Sequence, residues 1–208
     1  MLLEEENELV QNFNNCIVHI ETLGCRLNQI ESESMAKFFS ESGFSVRISS
    51  VTSKSEVSDD VFLCILNTCT VTQKAEQKAR RIIRLLLKKY SNALILVTGC
   101  YAQLNSLEIN SIDKRIIVLG GQVKSRIKNI PLQLKSFLQN GQWDVLGFKQ
   151  IVYEKFVLPP QIKKNYPENS FDFSTTSFLA HSRASLKIQD GCNNNCSYCA
   201  IHMARGFS

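Results

Sequence analysis

Three cysteines near the end of the 208-residue chain, Cys192, Cys196 and Cys199, stand at C-x3-C-x2-C spacing. Thiolates so close along one loop can gather around one metal centre. Gly191 and the asparagines at 193–195 tolerate the backbone angles that such a loop needs. Three ligands leave a four-iron cluster with one iron open to another molecule, as an open position does in catalytic metal sites generally. Two other chemistries use the same residues. Zinc would take the three thiolates with His202 as fourth ligand, although zinc modules usually pair two separated knuckles. A disulfide with one thiol left over is the other, and the acidic start Met1-Leu-Leu-Glu-Glu-Glu, unlike a secretory signal, disfavours it.

A second set lies far from the first in sequence. Cys25 and Cys100 directly follow glycine, and Cys69 follows Asn67-Thr68. Each comes just after a β-rich stretch: 17–23, the continuous apolar run 61–66, and 94–98. Runs of this kind suit strands buried on both faces. Helical patterns alternate with them, at about 28–43 and 70–90, and further strands are expected at 44–48 and 115–119. The alternation predicts an α/β domain with a parallel sheet and flanking helices. In such a sheet the strand C-termini share one edge, where ligands of α/β folds bind, so the three cysteines can converge there. Helix N-termini at that edge favour thiolates. Cysteines after strands can also be inert, and Cys16 and Cys64 read as structural thiols.

Local signals refine the elements. Asn28 with Glu31, and Thr70 with Gln73, fit helix-capping patterns. Gly43 suits a helix C-terminus. A short helix is expected from Ala102, and Pro131 should interrupt a helix over 123–139 or start a second one. Lys74, Lys78, Arg81, Arg84 and Lys88 form a basic face on the helix after Cys69; such a face serves solvation or RNA contact. Residues 1–15 read as a mobile tail, 16–140 as the first domain and 141–182 as a linker, on the strength of Pro159-Pro160, Pro167 and scattered Asn, Ser and Lys. Phe171, Phe173 and Phe178 are candidates to dock that linker, and Trp143 reads as a packing residue. Residues 183–208 form a further unit, with a strand at 184–188 leading into the cysteine loop. The net charge of +5 permits nucleic-acid contact without requiring it. No apolar run approaches membrane-spanning length, so no membrane association and a cytoplasmic location are expected.

The motifs narrow the reading. Cys192, Cys196 and Cys199, with Tyr198 before the third cysteine, resemble the radical S-adenosylmethionine (SAM) superfamily. That resemblance implies a [4Fe-4S] cluster that binds and cleaves SAM, with Tyr198 near the adenine. Thr22-Leu-Gly-Cys-Arg-Leu-Asn-Gln, Leu66-Asn-Thr-Cys-Thr-Val-Thr and Val97-Thr-Gly-Cys-Tyr-Ala-Gln resemble the methylthiotransferases, two-cluster radical SAM enzymes. The subfamily acting on N6-threonylcarbamoyladenosine at tRNA position 37 is the nearest, with the isopentenyladenosine type next. The resemblance implies a Rossmann- or flavodoxin-like N-terminal domain holding a second [4Fe-4S] cluster through Cys25, Cys69 and Cys100. It also implies tRNA, SAM and an electron donor as partners. A 5′-deoxyadenosyl radical would take hydrogen from adenine C2, the second cluster would deliver sulfur, and a second SAM would supply the methyl group. His202 stands where the family has proline. The chain ends nine residues after Cys199, so only the first strand and cluster loop of a truncated radical SAM barrel are expected, and these 208 residues alone are expected to be inactive. An iron–sulfur module that binds without turnover is the alternative.

Overall fold

The computed structural model describes residues 16–70, 72–169, 171–173 and 185–208. Five strands form one parallel sheet: β1 (Ile17–Thr22), β2 (Ser45–Ile48), β3 (Val61–Thr68), β4 (Leu94–Gly99) and β5 (Ile116–Val118), in the order β2-β1-β3-β4-β5. Helix α1 (Arg26–Glu41) follows β1, α2 (Gln73–Lys89) follows β3, and α3 (Cys100–Leu104) with α4 (Ser106–Asn110) follows β4. Beyond β5 come a 3₁₀ helix (Gly121–Asn129), α5 (Ile130–Gln139), α6 (Val145–Val152), a π-helical turn (Tyr153–Val157) and α7 (Ile201–Arg205). The expected α/β class, and its flavodoxin-like order, are what the chain adopts.

Strand side chains alternate between two faces, and each face has its own core. Val18, Ile20, Leu63, Ile65, Leu96 and Ile117 pack with Met35 and Phe39 of α1, Ile130 and Leu134 of α5, and Phe148 of α6. Cys64, Leu66, Ile95, Val97 and Val118 pack on the other side with Ala79, Ile83 and Leu86 of α2 and Ile109 of α4. Burial on both faces is why β3 and β4 read as unbroken apolar runs. Cys64 is fully buried, as a small apolar side chain would be.

Several local expectations need correction. Helix α1 begins two residues before Asn28, with Cys25 at the N-cap and no side-chain cap bond; Asn28 is inside the helix, bonding elsewhere. Thr72, not Thr70, caps α2, accepting from the Ala75 amide, while Thr70 Oγ1 donates to Glu76. Helix α3 starts at Cys100 rather than Ala102. The expectation at Pro131 holds: a second helix starts there, with the proline in the first turn of α5, just after the 3₁₀ helix, where a missing N–H is harmless.

The stretch expected as a linker contains α6 and the π-helical turn. Phe148, Val152 and Phe156 are buried in the first core, at helical spacing. Trp143 packs edge-on against Phe62 and Phe137 and donates to the Asn92 carbonyl at 2.7 Å. Phe173 is fully buried beside Phe38, and Phe171 is exposed; Phe178 and the tail 1–15 lie outside the described residues. The expected strand at 184–188 is not formed: residues 185–190 have no regular structure, and Leu186 and Ile188 are 83% and 81% exposed. A strand needs a partner edge for its N–H and C=O groups, and among the described residues no strand pairs with this segment.

Candidate metal centre

The sheet order reverses at β1 and β3, and in open α/β sheets the crevice at such a point, outside the strand C-termini, is the usual ligand site. Thr68 of β3 pairs in register with Gly99 of β4, so Cys69 and Cys100 extend neighbouring strands by one residue. Cys25 comes three residues after β1 ends. Its loop is tied down by a short network. Leu23 N–H donates to Asn67 O at 2.8 Å. Asn28 Nδ2 donates to Leu23 O at 2.8 Å and to Thr68 O at 3.0 Å, and Asn67 Nδ2 donates back to Asn28 O at 3.1 Å. The two asparagines thus fix the Cys25 loop to the end of β3.

Glycine precedes two of these cysteines for steric reasons. Gly24 has φ +115°, and a Cβ there would lie 2.5 Å from Cys69 Cβ and 3.1 Å from its Sγ. Gly99 has φ +94°, and a Cβ would run into the Thr68 backbone. Positive φ and these close approaches both exclude a side chain. The backbone carrying Cys25 therefore rests directly on Cys69.

The three thiols differ in environment: Cys69 is buried, Cys100 half-buried and Cys25 exposed. Burial raises the Cys100 pKa, Arg205 and Lys124 pull against it, and Cys69 and Glu31 add to the rise. A thiol ringed by cations becomes a better thiolate ligand than burial alone would allow.

The second set faces the first. Thr70, Cys100, Tyr198, Cys199 and Ala204 line a common cavity of about 250 Å³. The loop holding Cys192, Cys196 and Cys199 is closed by Cys192 N–H donating to Gly206 O and Cys199 N–H to Cys196 O, each at 3.0 Å. At Gly191, φ is +77° and a Cβ would meet Gly206 O at 2.5 Å. Tyr198, which lines this cavity, is itself 90% exposed.

A buried ionic network that sequence reasoning missed anchors this loop. Glu31 of α1 is fully buried. It accepts from Lys124 of the 3₁₀ helix at 2.5 Å, from Arg205 at 3.1 Å and from Lys187 at 3.5 Å. Asp190 accepts from Lys187 and Arg205, both at 2.7 Å, and Arg205 Nη2 donates to Asn28 Oδ1 at 2.6 Å. Burial alone would lower the Arg205 pKa, yet Glu31, Cys100 and Asp190 together hold it above its ordinary value. Burial likewise works to raise Glu31 and Asp190, and the surrounding cations hold both below the usual carboxylate range. Among the described residues this network sets three cations against two carboxylates, and Arg205 and Lys124 act electrostatically on Cys100, which suits an anionic sulfur centre there. The only sequence signal was position: Asp190 and Arg205 flank the cysteine loop.

All eight cysteines carry free thiols, so the disulfide arrangement is not formed. Among the described residues no three His, Cys, Asp or Glu side chains are drawn together as ligands of a metal ion. This applies to the zinc arrangement with His202 and to either cysteine triplet alone. The donor sets themselves fit an iron–sulfur group: two sets of three cysteines, of which Cys100 and Cys199 line one cavity, with positive charge beside Cys100. No helix among the described residues is long and apolar enough to cross a membrane.

Curated proteins are similar to this chain in sequence. Threonylcarbamoyladenosine tRNA methylthiotransferase MtaB of Treponema pallidum (strain Nichols) is 37% identical over 91% of this chain and 46% of its own length. The MtaB protein of Bacillus subtilis (strain 168) is 35% identical over 91% of the chain and 36% of its own length. A tRNA-2-methylthio-N(6)-dimethylallyladenosine synthase of Neorickettsia sennetsu is 31% identical over 98% of the chain and 38% of its own length. The chain thus spans less than half the length of these curated relatives. Residues 17–121, which hold the sheet and all three strand-end cysteines, match the family described as uncharacterized protein family UPF0004, and the chain belongs to that family.

Proposed function

We propose that this chain carries the two cysteine sites of a tRNA methylthiotransferase, with N6-threonylcarbamoyladenosine at position 37 as the target. The observation that carries the reading is the shared cavity: Cys100 from the sheet edge and Cys199 from the loop line one space. Two sulfur-ligated centres facing each other suit a reaction that both activates SAM and inserts sulfur. Cys25, Cys69 and Cys100 would hold one [4Fe-4S] cluster and Cys192, Cys196 and Cys199 the other. Bound there, the clusters would supply the electron that cleaves SAM and an open iron for the inserted sulfur. The chain's own residues do the rest. Gly24 and Gly99 let the strand-end thiols crowd together, Arg205 and Lys124 favour the thiolate at Cys100, and Glu31 holds the loop in place. Tyr198 is suited to stack on an adenine.

The bare segment 185–190 favours a second role for these 208 residues taken alone. With Leu186 and Ile188 in water, little holds SAM in line with its centre, and a misplacement of about 1 Å can cost on the order of a hundredfold in rate. By itself the chain is then a cluster-binding module without turnover, and activity belongs to a chain spanning its relatives' full length. Nucleoside mass spectrometry of tRNA, from cells lacking their own enzyme and expressing either form, tests this. The methylthio nucleoside is expected with the long form only. Its absence with a cluster-loaded long form would refute the assignment.

A further inference from the structure

The surface of α2 takes no part in the site described above, and its charge is unlike that of the rest of the molecule. Seven of the chain's 24 Lys and Arg residues and one acid, Glu76, lie in this helix. Its charge of +6 exceeds the +5 of the whole chain, so everything else together is −1. The buried face is Ala79, Ile82, Ile83 and Leu86. The opposite face exposes Lys74, Lys78, Arg81, Arg84 and Lys88, which recur every three or four residues and form one stripe.

A merely solvated helix face balances its charges, as Lys37 and Glu41 do on α1 at 3.7 Å. Here the one acid is engaged by Thr70, and Arg80 leans away from the stripe to Tyr101 and Glu108. None of the five stripe residues has an acidic partner among the described residues. The helix dipole accounts for Lys88 and its neighbour Lys89 in the last turn, but it disfavours Lys74 in the first turn and is indifferent to the middle three.

The direction of the stripe matters as much as its sign. Helix α2 begins four residues after Cys69, at the sheet edge that holds the cysteines, and runs away from it. From Lys74 to Lys88 the stripe spans about 21 Å at the helical rise of 1.5 Å per residue. We propose that this stripe is a rail for the phosphate backbone of an RNA stem whose loop reaches the cysteine cavity. The inference rests on the tRNA reading for what the loop does there, but binding along the stripe needs neither cluster nor turnover.

Binding of a short fluorescent RNA hairpin, measured by anisotropy across a series of salt concentrations, tests it. The variant Lys78→Gln/Arg81→Gln/Arg84→Gln/Lys88→Gln keeps good helix formers at exposed positions. It is compared with Lys37→Gln/Lys54→Gln/Lys114→Gln/Lys164→Gln, four exposed lysines elsewhere. If the stripe meets phosphates, its variant loses roughly 0.7 to 0.9 of log–log salt slope per contact, about three in all, and roughly tenfold or more in affinity at low salt. The control variant keeps the parent slope. Equal slopes for the stripe variant and the parent would overturn the proposal. So would polyglutamate binding as tightly as the hairpin at the same salt, which would point to an acidic protein partner instead. The two readings fail separately. Intact hairpin binding without methylthiolation by the long form would leave the stripe standing and remove the reaction, and full methylthiolation by a long form with the stripe neutralised would do the reverse.

Discussion

The two cysteine triplets are held by different forces. At the sheet edge, Cys69 and Cys100 continue paired strands and Cys25 is pressed against them through Gly24. Main-chain hydrogen bonds and sterics set the spacing, with a core on each side of the sheet beneath. Among the described residues no strand leads into the loop triplet. Arg205 at its end is tied to Glu31 and Asn28 of α1, and Asp190 at its start is tied in turn to Arg205. The first half-site is preformed by the fold, and the second is docked onto it by charge. Paired charges buried in this way hold position well while complete and fail badly when one member is lost.

Glu31→Ala should therefore separate the two halves most strongly. It removes the buried carboxylate that Lys124, Lys187 and Arg205 share, at a cost of about 3–5 kcal/mol. Hydrogen exchange should then show residues 201–206 losing protection while β3 and β4 keep theirs. Equal loss in sheet and loop would show that the halves are not held independently.

Gly99→Ala strikes the other half. The positive φ and the clash with the Thr68 backbone should lower global stability by about 3 kcal/mol in denaturant unfolding. Gly43→Ala shares a positive φ of +91° but has open space around its missing side chain, so it should cost only about 1 kcal/mol. Similar losses at both positions would mean that crowding at the sheet edge is not what glycine relieves.

Acid should loosen the docked half with a smaller effect. Glu31 and Asp190 have folded pKa values below their ordinary 4.5 and 3.8. Their stabilising contribution is complete above the unfolded values and is lost as pH falls through the depressed folded ones. The Gly206 amide, followed by NMR, should shift in that acid range while amides of β4 do not. A Gly206 transition centred above pH 4.5 would assign the docking to other groups.

The same contrast explains what was legible in the sequence. Buried parallel strands are continuous apolar runs, so β3 and β4 could be read directly, and β1, β2 and β5 from shorter β-rich stretches; the cysteines following three of the strands pointed to one edge. Helix α6 could have been found from the spacing of Phe148, Val152 and Phe156, but the prolines and polar residues downstream masked it. The strand expected at 184–188 failed because an alternating pattern specifies a face and cannot supply a neighbouring strand. Of the ionic network, only the position of Asp190 and Arg205 beside the cysteine loop was visible in the sequence. Glu31, Lys124 and Arg205 are distant in sequence, and only the completed topology brings them together.

Iron content after anaerobic reconstitution tests most directly whether the two cysteine sets hold two separate sulfur-ligated centres. Parent protein, Cys69→Ala and Cys196→Ala should be compared. A three-thiolate site that loses one ligand loses much of its hold on metal, so each variant should retain about half of the parent's iron and acid-labile sulfide. Loss of all the iron in either variant, or of none in both, would contradict two independent centres.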